Sequence, residues 1–158
     1  MGKSLHMEST QIEPGKTAAE VAELLGVAGA REVLTEYDDK RRITGIAFAM
    51  LVDGQRVPFQ MPIRSDSIFK ILNGRRPPIT RHKCEQQDRQ QADRVAWRIA
   101  LRWLQAQVAY IETGMVKTEE VFLPYIAMGR GQTLYQFAAA RGLHRMALPA
   151  PEGTHEKH

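Results

Sequence analysis

The residues of this chain with the clearest chemical potential are cations, and they are concentrated between positions 75 and 102. That segment holds eight Lys or Arg residues against three acidic ones, a balance of +5 in a 158-residue chain whose net charge is +4. Such a concentration is typical of proteins that bind nucleic-acid phosphates. The candidate contacts to an acidic partner are Arg75, Arg76, Arg81, Lys83, Arg94, Arg98 and Arg102.

Three of these arginines, Arg94, Arg98 and Arg102, are spaced four residues apart and therefore share one helix face. They could be only the solvated side of the helix. Against this, each like-charge pair at that spacing costs about 0.2–0.5 kcal/mol in an isolated helix, and an acidic partner would remove the cost. The partner could be nucleic acid, an acidic patch on another protein, or acids elsewhere in this chain. Trp97 or Tyr110 could stack on bases if exposed.

Residues that could act in catalysis or bind a metal are scattered. His82 and Cys84 lie two apart without a second ligand pair nearby, so they do not suggest a zinc site. Glu119 and Glu120 diverge by about 100° on a helix, which fits its first turn better than an acid–base pair. The turn at residues 129–131 lacks the lysine and spacing of a phosphate-binding P-loop. The sequence therefore predicts a protein that is not an enzyme and uses no metal or cofactor.

The composition predicts one folded domain. The hydrophobic fraction of 43% and the charged fraction of 25% exclude extensive disorder, and no apolar run approaches the roughly 20 residues that cross a bilayer. A single cysteine, Cys84, excludes an internal disulfide and fits a reducing cytoplasm. We expect a flexible arm at residues 1–16, one domain at residues 17–148 and a disordered tail at residues 149–158, in a cytoplasmic protein without membrane contact.

Hydrophobic patterning predicts how the first half is built. Thr17 and Glu20 form a capping box that would begin a helix ending at Gly29. Three strand candidates follow and predict an antiparallel meander. They span Glu32–Tyr37, Ile43–Val52 and residues 57–63, the last two joined by an Asp-Gly turn at residues 53–54.

The positions of the strands in the sheet can also be predicted. Pro58 and Pro62 lack amides on the same edge of an extended chain, which makes the third strand an edge strand. The segment Ile43–Val52 is apolar on both of its alternating sets of residues. We therefore expect it to be a central strand that is covered on both faces.

A long helix is the main element predicted for the second half. Residues 84–111 contain no proline or glycine, and Gly114 follows them. Apolar residues occupy most of the circumference of its C-terminal half, so we expect burial on nearly every side, with Trp103 in the core. Shorter helices are expected on either side of it. They begin at Ser65, Thr118 and Thr133, the second ending near Pro124, and a surface loop spans residues 74–83.

These elements predict an α+β fold, with an N-terminal helix, a three-stranded antiparallel meander and a helical half built around one long helix. Helix, meander and helix is also the order of double-stranded RNA binding modules. The residues do not support that assignment. The last helix of such modules is usually entered by closely spaced lysines, whereas this one begins Cys84-Glu85-Gln86-Gln87-Asp88, and a further helix intervenes.

The stretch from Gln91 to Tyr125 resembles a family of small proteins encoded by tailed phages and prophages. Its distinctive parts are Val95-Ala96-Trp97-Arg98 and Glu119-Glu120-Val121-Phe122-Leu123-Pro124-Tyr125, and the likeness extends over about residues 17–149. The resemblance implies a phage origin and transfers no catalytic residue to this chain. It also implies a role as an accessory to DNA replication or recombination, or as an inhibitor of host defence.

Two functions follow from charge and resemblance together. The first is a phage-derived, non-enzymatic accessory protein that binds nucleic acid through the basic loop and the helix stripe. The second is a protein that binds and inhibits a host defence or nucleic-acid-processing factor through the same surface. In either case, apolar surface that one copy cannot cover would be buried in a homodimer.

Overall fold

The three strands form an antiparallel meander with the second strand at its centre, as predicted. In the computed structural model, which describes residues 3–147, β1 spans Glu32–Tyr37, β2 spans Ile43–Val52 and β3 spans Gln55–Pro62. The sheet order is β1-β2-β3. Asp53 and Gly54 close the second hairpin with φ angles of 49° and 77°, a left-handed conformation that favours glycine at the second position.

The outer edge of β3 is where the two prolines lie. The amide of Ala127 donates to the carbonyl of Pro58 at 2.9 Å, so the backbone of Pro58 faces away from β2. Pro62 is four residues further along the same strand and has the same orientation. The predicted edge position of β3 is confirmed, and a single bridge between Phe59 and Ile126 covers part of that edge.

The two faces of the sheet differ in how they are covered. On the inner face, Ile46, Phe48 and Met50 of β2 are buried in the core. The prediction that β2 is covered on both faces holds for Ala49 on the outer face, which is buried, but not for Leu51, which is 51% exposed.

Long side chains from the flanking strands cover the remaining outer face. Arg56 pairs with Glu32 at 2.6 Å, and Gln60 donates to Glu36 at 3.0 Å. Both contacts cross over β2, which has only small residues beneath them. Those residues are Gly45, Ala47 and Ala49.

Helix α1 (Pro14–Val27) and helix α4 (Glu85–Glu112) pack against each other and against the inner face of the sheet. The predicted start at Thr17 is wrong, because α1 begins at Pro14. Proline favours the first turn of a helix since its missing amide would have no partner there. Thr17 is buried inside α1 and caps nothing. The predicted tail at residues 149–158 lies outside the described residues.

Helix α4 is one unbroken element of 28 residues, as predicted. The prediction that its C-terminal half is buried on nearly every side is wrong. Tyr110 is 50% exposed and Ile99 36% exposed, while Trp103 is only partly buried at the margin of the core. The sheet and α1 cover one side of α4 and the short helix at Asp66–Gly74 packs on another, so part of its C-terminal half is left to solvent.

The shorter helices complete the fold. The predicted surface loop contains the one-turn helix α3 (Pro78–Arg81). Thr118 is not a helix cap, because its hydroxyl donates to the carbonyl of Ala28. Thr133 does cap its helix, in a reciprocal pair with Gln136. The other short helices are α2 (Asp66–Gly74), α5 (Thr118–Phe122) and α6 (Leu134–Arg141), with 3₁₀ turns at Leu123–Tyr125 and Leu143–Met146.

Candidate functional site

Two arginines of the predicted basic loop hold the junction of α2, α3 and α4. Arg76 makes two hydrogen bonds of 2.7 Å to Asp88, whose side chain is only 5% exposed. Hydrogen bonds from Arg76 and then Asn73 hold the pKa of Asp88 below its usual range. Arg81 donates to the carbonyls of Gly74 and of Arg76 at 2.9 and 3.0 Å. These contacts fix the loop and give both guanidinium groups partners within the chain.

Three further arginines are paired with acids from the N-terminal part of the chain. Arg75 meets Glu8 at 2.5 Å, Arg94 meets Glu13 at 2.5 Å and Arg98 meets Glu20 at 2.7 Å. Of the partners that the sequence left open for Arg94 and Arg98, the chain's own acids are the ones found. The side chain of Arg98 is only 10% exposed, because α1 packs over it.

The remaining two candidates, Lys83 and Arg102, are exposed. Within residues 3–147 neither forms an ion pair, and Arg102 contacts only the side-chain oxygen of Gln105 at 3.2 Å. They are 19 residues apart, which is about 28 Å along a helix. These two unpaired cations are therefore too far apart to contact the same phosphate.

A different set of cations does converge, around a groove of about 840 Å³. We call it the basic groove. It lies between the β1–β2 loop, the start of α1 and the N-terminal half of α4. Six Lys or Arg side chains line it, against three carboxylates, those of Glu13, Glu85 and Asp93. The six are Lys40, Arg41, Arg42, Lys83, Arg89 and Arg94.

The β1–β2 loop is organised by Asp38. Its carboxylate accepts hydrogen bonds from the amides of Lys40 and Arg42 and from the guanidinium of Arg42, each at 2.9 Å. Hydrogen bonds from Arg42, with that of its amide the strongest, hold the pKa of Asp38 below its usual range. Arg41 has a φ of 58°, an uncommon conformation for a residue with a side chain. The tight turn displays the side chains of Lys40 and Arg41.

The cations of the basic groove fall into two groups. Arg42, Arg89 and Arg94 are paired with carboxylates, Arg89 with that of Asp66 at 3.3 Å. Lys40, Arg41 and Lys83 have no carboxylate within 4 Å among the described residues. The groove therefore contains cations whose charge no neighbouring acid balances.

Sequence reasoning placed Lys83 and Arg94 in a site but missed the loop cations. The signal was present as three consecutive basic residues, Lys40-Arg41-Arg42, between two predicted strands. Their charge was hidden in the overall count because Asp38 and Asp39 precede them.

The proposed stacking residues do not border the groove. Trp97 is fully buried, and its indole donates to the carbonyl of Ile43 at 3.2 Å. Stacking by Trp97 is therefore excluded. Tyr110 is half-exposed but lies 16 residues beyond Arg94, about 24 Å along α4.

No family model, curated protein or solved structure matches the chain. Among residues 3–147 no three His, Cys, Asp or Glu side chains are grouped as a metal site would require. None of the helices described is long and apolar enough to cross a membrane. Glu120 accepts from the amide of Lys117 at 3.3 Å, as a carboxylate in a first helical turn does. The basic groove is therefore the feature of the described residues that points to a ligand.

Proposed function

We propose that this protein binds the sugar–phosphate backbone of nucleic acid in the basic groove and catalyses no reaction. One observation carries the proposal. Lys40, Arg41 and Lys83 come from two separate segments and converge on one groove without a carboxylate partner in the part of the chain that the structure describes.

The energetics of the groove favour an anionic ligand. Like charges held close together repel, and phosphates that enter between them relieve the repulsion while releasing condensed counterions. Arg42 is fixed by Asp38 and Asp93, so the loop is ordered before a ligand arrives. Less entropy is then lost when the loop binds.

The biological setting is part of the same proposal. The resemblance to tailed-phage proteins supports a phage-derived accessory protein that acts in the cytoplasm of a bacterial host. A homodimer would use the free side of α4, where Ile99 and Tyr110 are exposed.

A matched pair of double variants tests the groove. The variant Arg41→Gln/Lys83→Gln removes two of its unpaired cations. The control Arg31→Gln/Lys117→Gln removes the same charge at the opposite end of the sheet. Arg31 precedes β1, and Thr118, next to Lys117, donates a hydrogen bond to the carbonyl of Ala28. Both are compared with the unmodified protein on single-stranded DNA, duplex DNA and duplex RNA over a range of salt concentrations.

The groove variant should bind nucleic acid more weakly and show a flatter slope of log K against log salt concentration. Two lost contacts flatten it by about 1.8 on a duplex or about 1.4 on a single strand. The control should keep the slope of the unmodified protein. The proposal fails if the unmodified protein binds none of the three at about 50 mM salt, or if the two variants behave alike.

A second candidate function, inhibition of a host factor by protein binding, is favoured by a smaller apolar groove of about 290 Å³ further along α4. Its walls include Ile99, Trp103 and Tyr125, and no carboxylate lines it. If a host protein is bound here, Ile99→Glu should abolish its capture from nuclease-treated lysate while Arg41→Gln/Lys83→Gln leaves capture intact. Capture that Ile99→Glu does not reduce would contradict this second function.

A further inference from the structure

The N-terminal segment (residues 3–13) lies across α4 and the end of α2. The side-chain amide of Gln91 donates to the carbonyls of Glu8 and Thr10, both at 2.8 Å. Arg75 donates to the Glu8 carboxylate at 2.5 Å and to the carbonyl of Lys3 at 2.7 Å. The segment that the sequence predicted to be a free arm therefore makes specific contacts far along the chain.

The contacts at its two acids resemble those a nucleic-acid backbone would make. Glu13 accepts two hydrogen bonds from Arg94, at 2.9 and 2.5 Å, and Glu8 accepts one from Arg75. A guanidinium binds carboxylate and phosphate oxygens with the same geometry. The two glutamates thus occupy arginines that could otherwise bind phosphate.

Polar contacts hold the segment, and its own residues help to line a polar cavity. This cavity has a volume of about 480 Å³ and is lined by Arg75, Arg76, Gln87, Gln91 and Arg94 among others. Water or another anion can replace such polar contacts, whereas neither could replace contacts between apolar side chains. Arg94 lines both this cavity and the basic groove, so the covered arginines continue the groove.

We propose that the N-terminal segment is an intramolecular competitor for the nucleic-acid surface. A nucleic-acid backbone that enters the basic groove displaces the carboxylates of Glu8 and Glu13. Its phosphates then bind Arg75 and Arg94. The binding surface then runs from Arg41 and Lys83 across Arg94 to Arg75. This inference rests on the proposed nucleic-acid binding in the basic groove and adds its extent and its regulation.

The test removes the two competing charges. The variant Glu8→Gln/Glu13→Gln frees both arginines, and the control Glu32→Gln/Glu112→Gln makes the same change of net charge elsewhere. The control is matched further because Glu32 also pairs with an arginine, Arg56, on the outer face of the sheet. The probe is a single-stranded DNA of about 20 nucleotides, longer than the roughly 4–16 that a small domain covers.

The freed variant should bind the probe more tightly than the control does, because the DNA no longer has to displace two carboxylates. Its salt slope should stay close to that of the unmodified protein, whose complex contains the same phosphate contacts. Adding Arg75→Gln/Arg94→Gln to it should abolish the gain. In the unmodified protein, hydrogen exchange of the amides in residues 4–13 should speed up when the DNA binds.

The outcomes separate the two proposals. If the unmodified protein binds with a slope that depends on Arg41 and Lys83, but Glu8→Gln/Glu13→Gln matches its control, only the competitor role is overturned. Exchange in residues 4–13 that is unchanged or slower in the complex overturns it too. If neither the unmodified protein nor the freed variant binds the DNA, nucleic-acid binding and the competitor role both fail.

Discussion

Arg98 is the residue in which charge and burial conflict most. Its side chain is 10% exposed, one guanidinium nitrogen meets Glu20, and its Nε atom is buried without a hydrogen-bond partner in the structure. Burying a cation costs free energy that one ion pair offsets only in part. The pair therefore fixes how α1 lies on α4 more than it stabilises the fold.

This conflict predicts that removing the two partners has unequal effects on stability. Glu20→Gln leaves a nearly buried cation unpaired and should lower the free energy of unfolding by about 1–3 kcal/mol. Arg98→Leu removes the charge and keeps an apolar side chain in contact with α1, so it should be close to neutral. Urea unfolding of both variants measures the difference. A larger loss for Arg98→Leu than for Glu20→Gln would contradict this account.

At the scale of elements, the periodic segments were predictable and the side on which each is covered was not. The extent of α4 follows from a run without helix breakers, and the edge position of β3 follows from Pro58 and Pro62. The groups that cover the outer face of β2 could not be predicted, because Ala47 and Ala49 look apolar whether a helix or long side chains cover them. The side chains that do so, Arg56 and Glu32, are 24 residues apart in sequence.

The ion pairs of the arginines could not be predicted for the same physical reason. Spacing in sequence identified the shared helix face of Arg94 and Arg98. Their acids, Glu13 and Glu20, lie 81 and 78 residues away and meet them only after α1 has packed on α4. Composition therefore predicted a basic segment, whereas long-range packing decides which cations remain for a ligand.

The two tryptophans of α4 give a prediction at this scale. Trp97 is fully buried and hydrogen-bonded, and Trp97→Ala should cost about 3–5 kcal/mol. Trp103 is partly buried, with edge contacts to Phe122 and Tyr125 at ring distances of 6.3 and 5.8 Å, so Trp103→Ala should cost about 1–3 kcal/mol. Denaturant unfolding of the two variants measures which of them loses more free energy of unfolding. Equal losses would mean that the core extends to the outer side of α4.

At the scale of the whole molecule, the fold decides which charged residues are paired and which are left unpaired. The basic groove collects cations from the β1–β2 loop, residue 83 and α4, while the N-terminal segment neutralises the cations next to it. The net charge of +4 describes none of this. What a partner meets is the small set of cations that folding leaves without an acid.

The last prediction concerns acid, because several carboxylates are paired with cations. Hydrogen bonds from Arg76 lower the pKa of Asp88, and hydrogen bonds from Arg56 lower the pKa of Glu32. The pKa of Asp38 is lowered by hydrogen bonds from Arg42. That of Glu8 is lowered by hydrogen bonds from the Leu5 amide and from Arg75. In the unfolded chain these groups return to ordinary values of about 4. Near and below that pH the unfolded state binds more protons, so the free energy of unfolding falls as pH falls.

This stabilisation is fully present above about pH 5 and is lost as the pH falls through the lowered native values. Asp88 should contribute most, because its side chain is 5% exposed while that of Glu32 is 53% exposed and solvent screens it. Urea unfolding from about pH 7 to about pH 3 should therefore show a smaller acid loss for Asp88→Asn, which starts less stable, than for Glu32→Gln. If the two variants lose stability in parallel with the unmodified protein, the Arg76–Asp88 pair is not what makes the fold sensitive to acid.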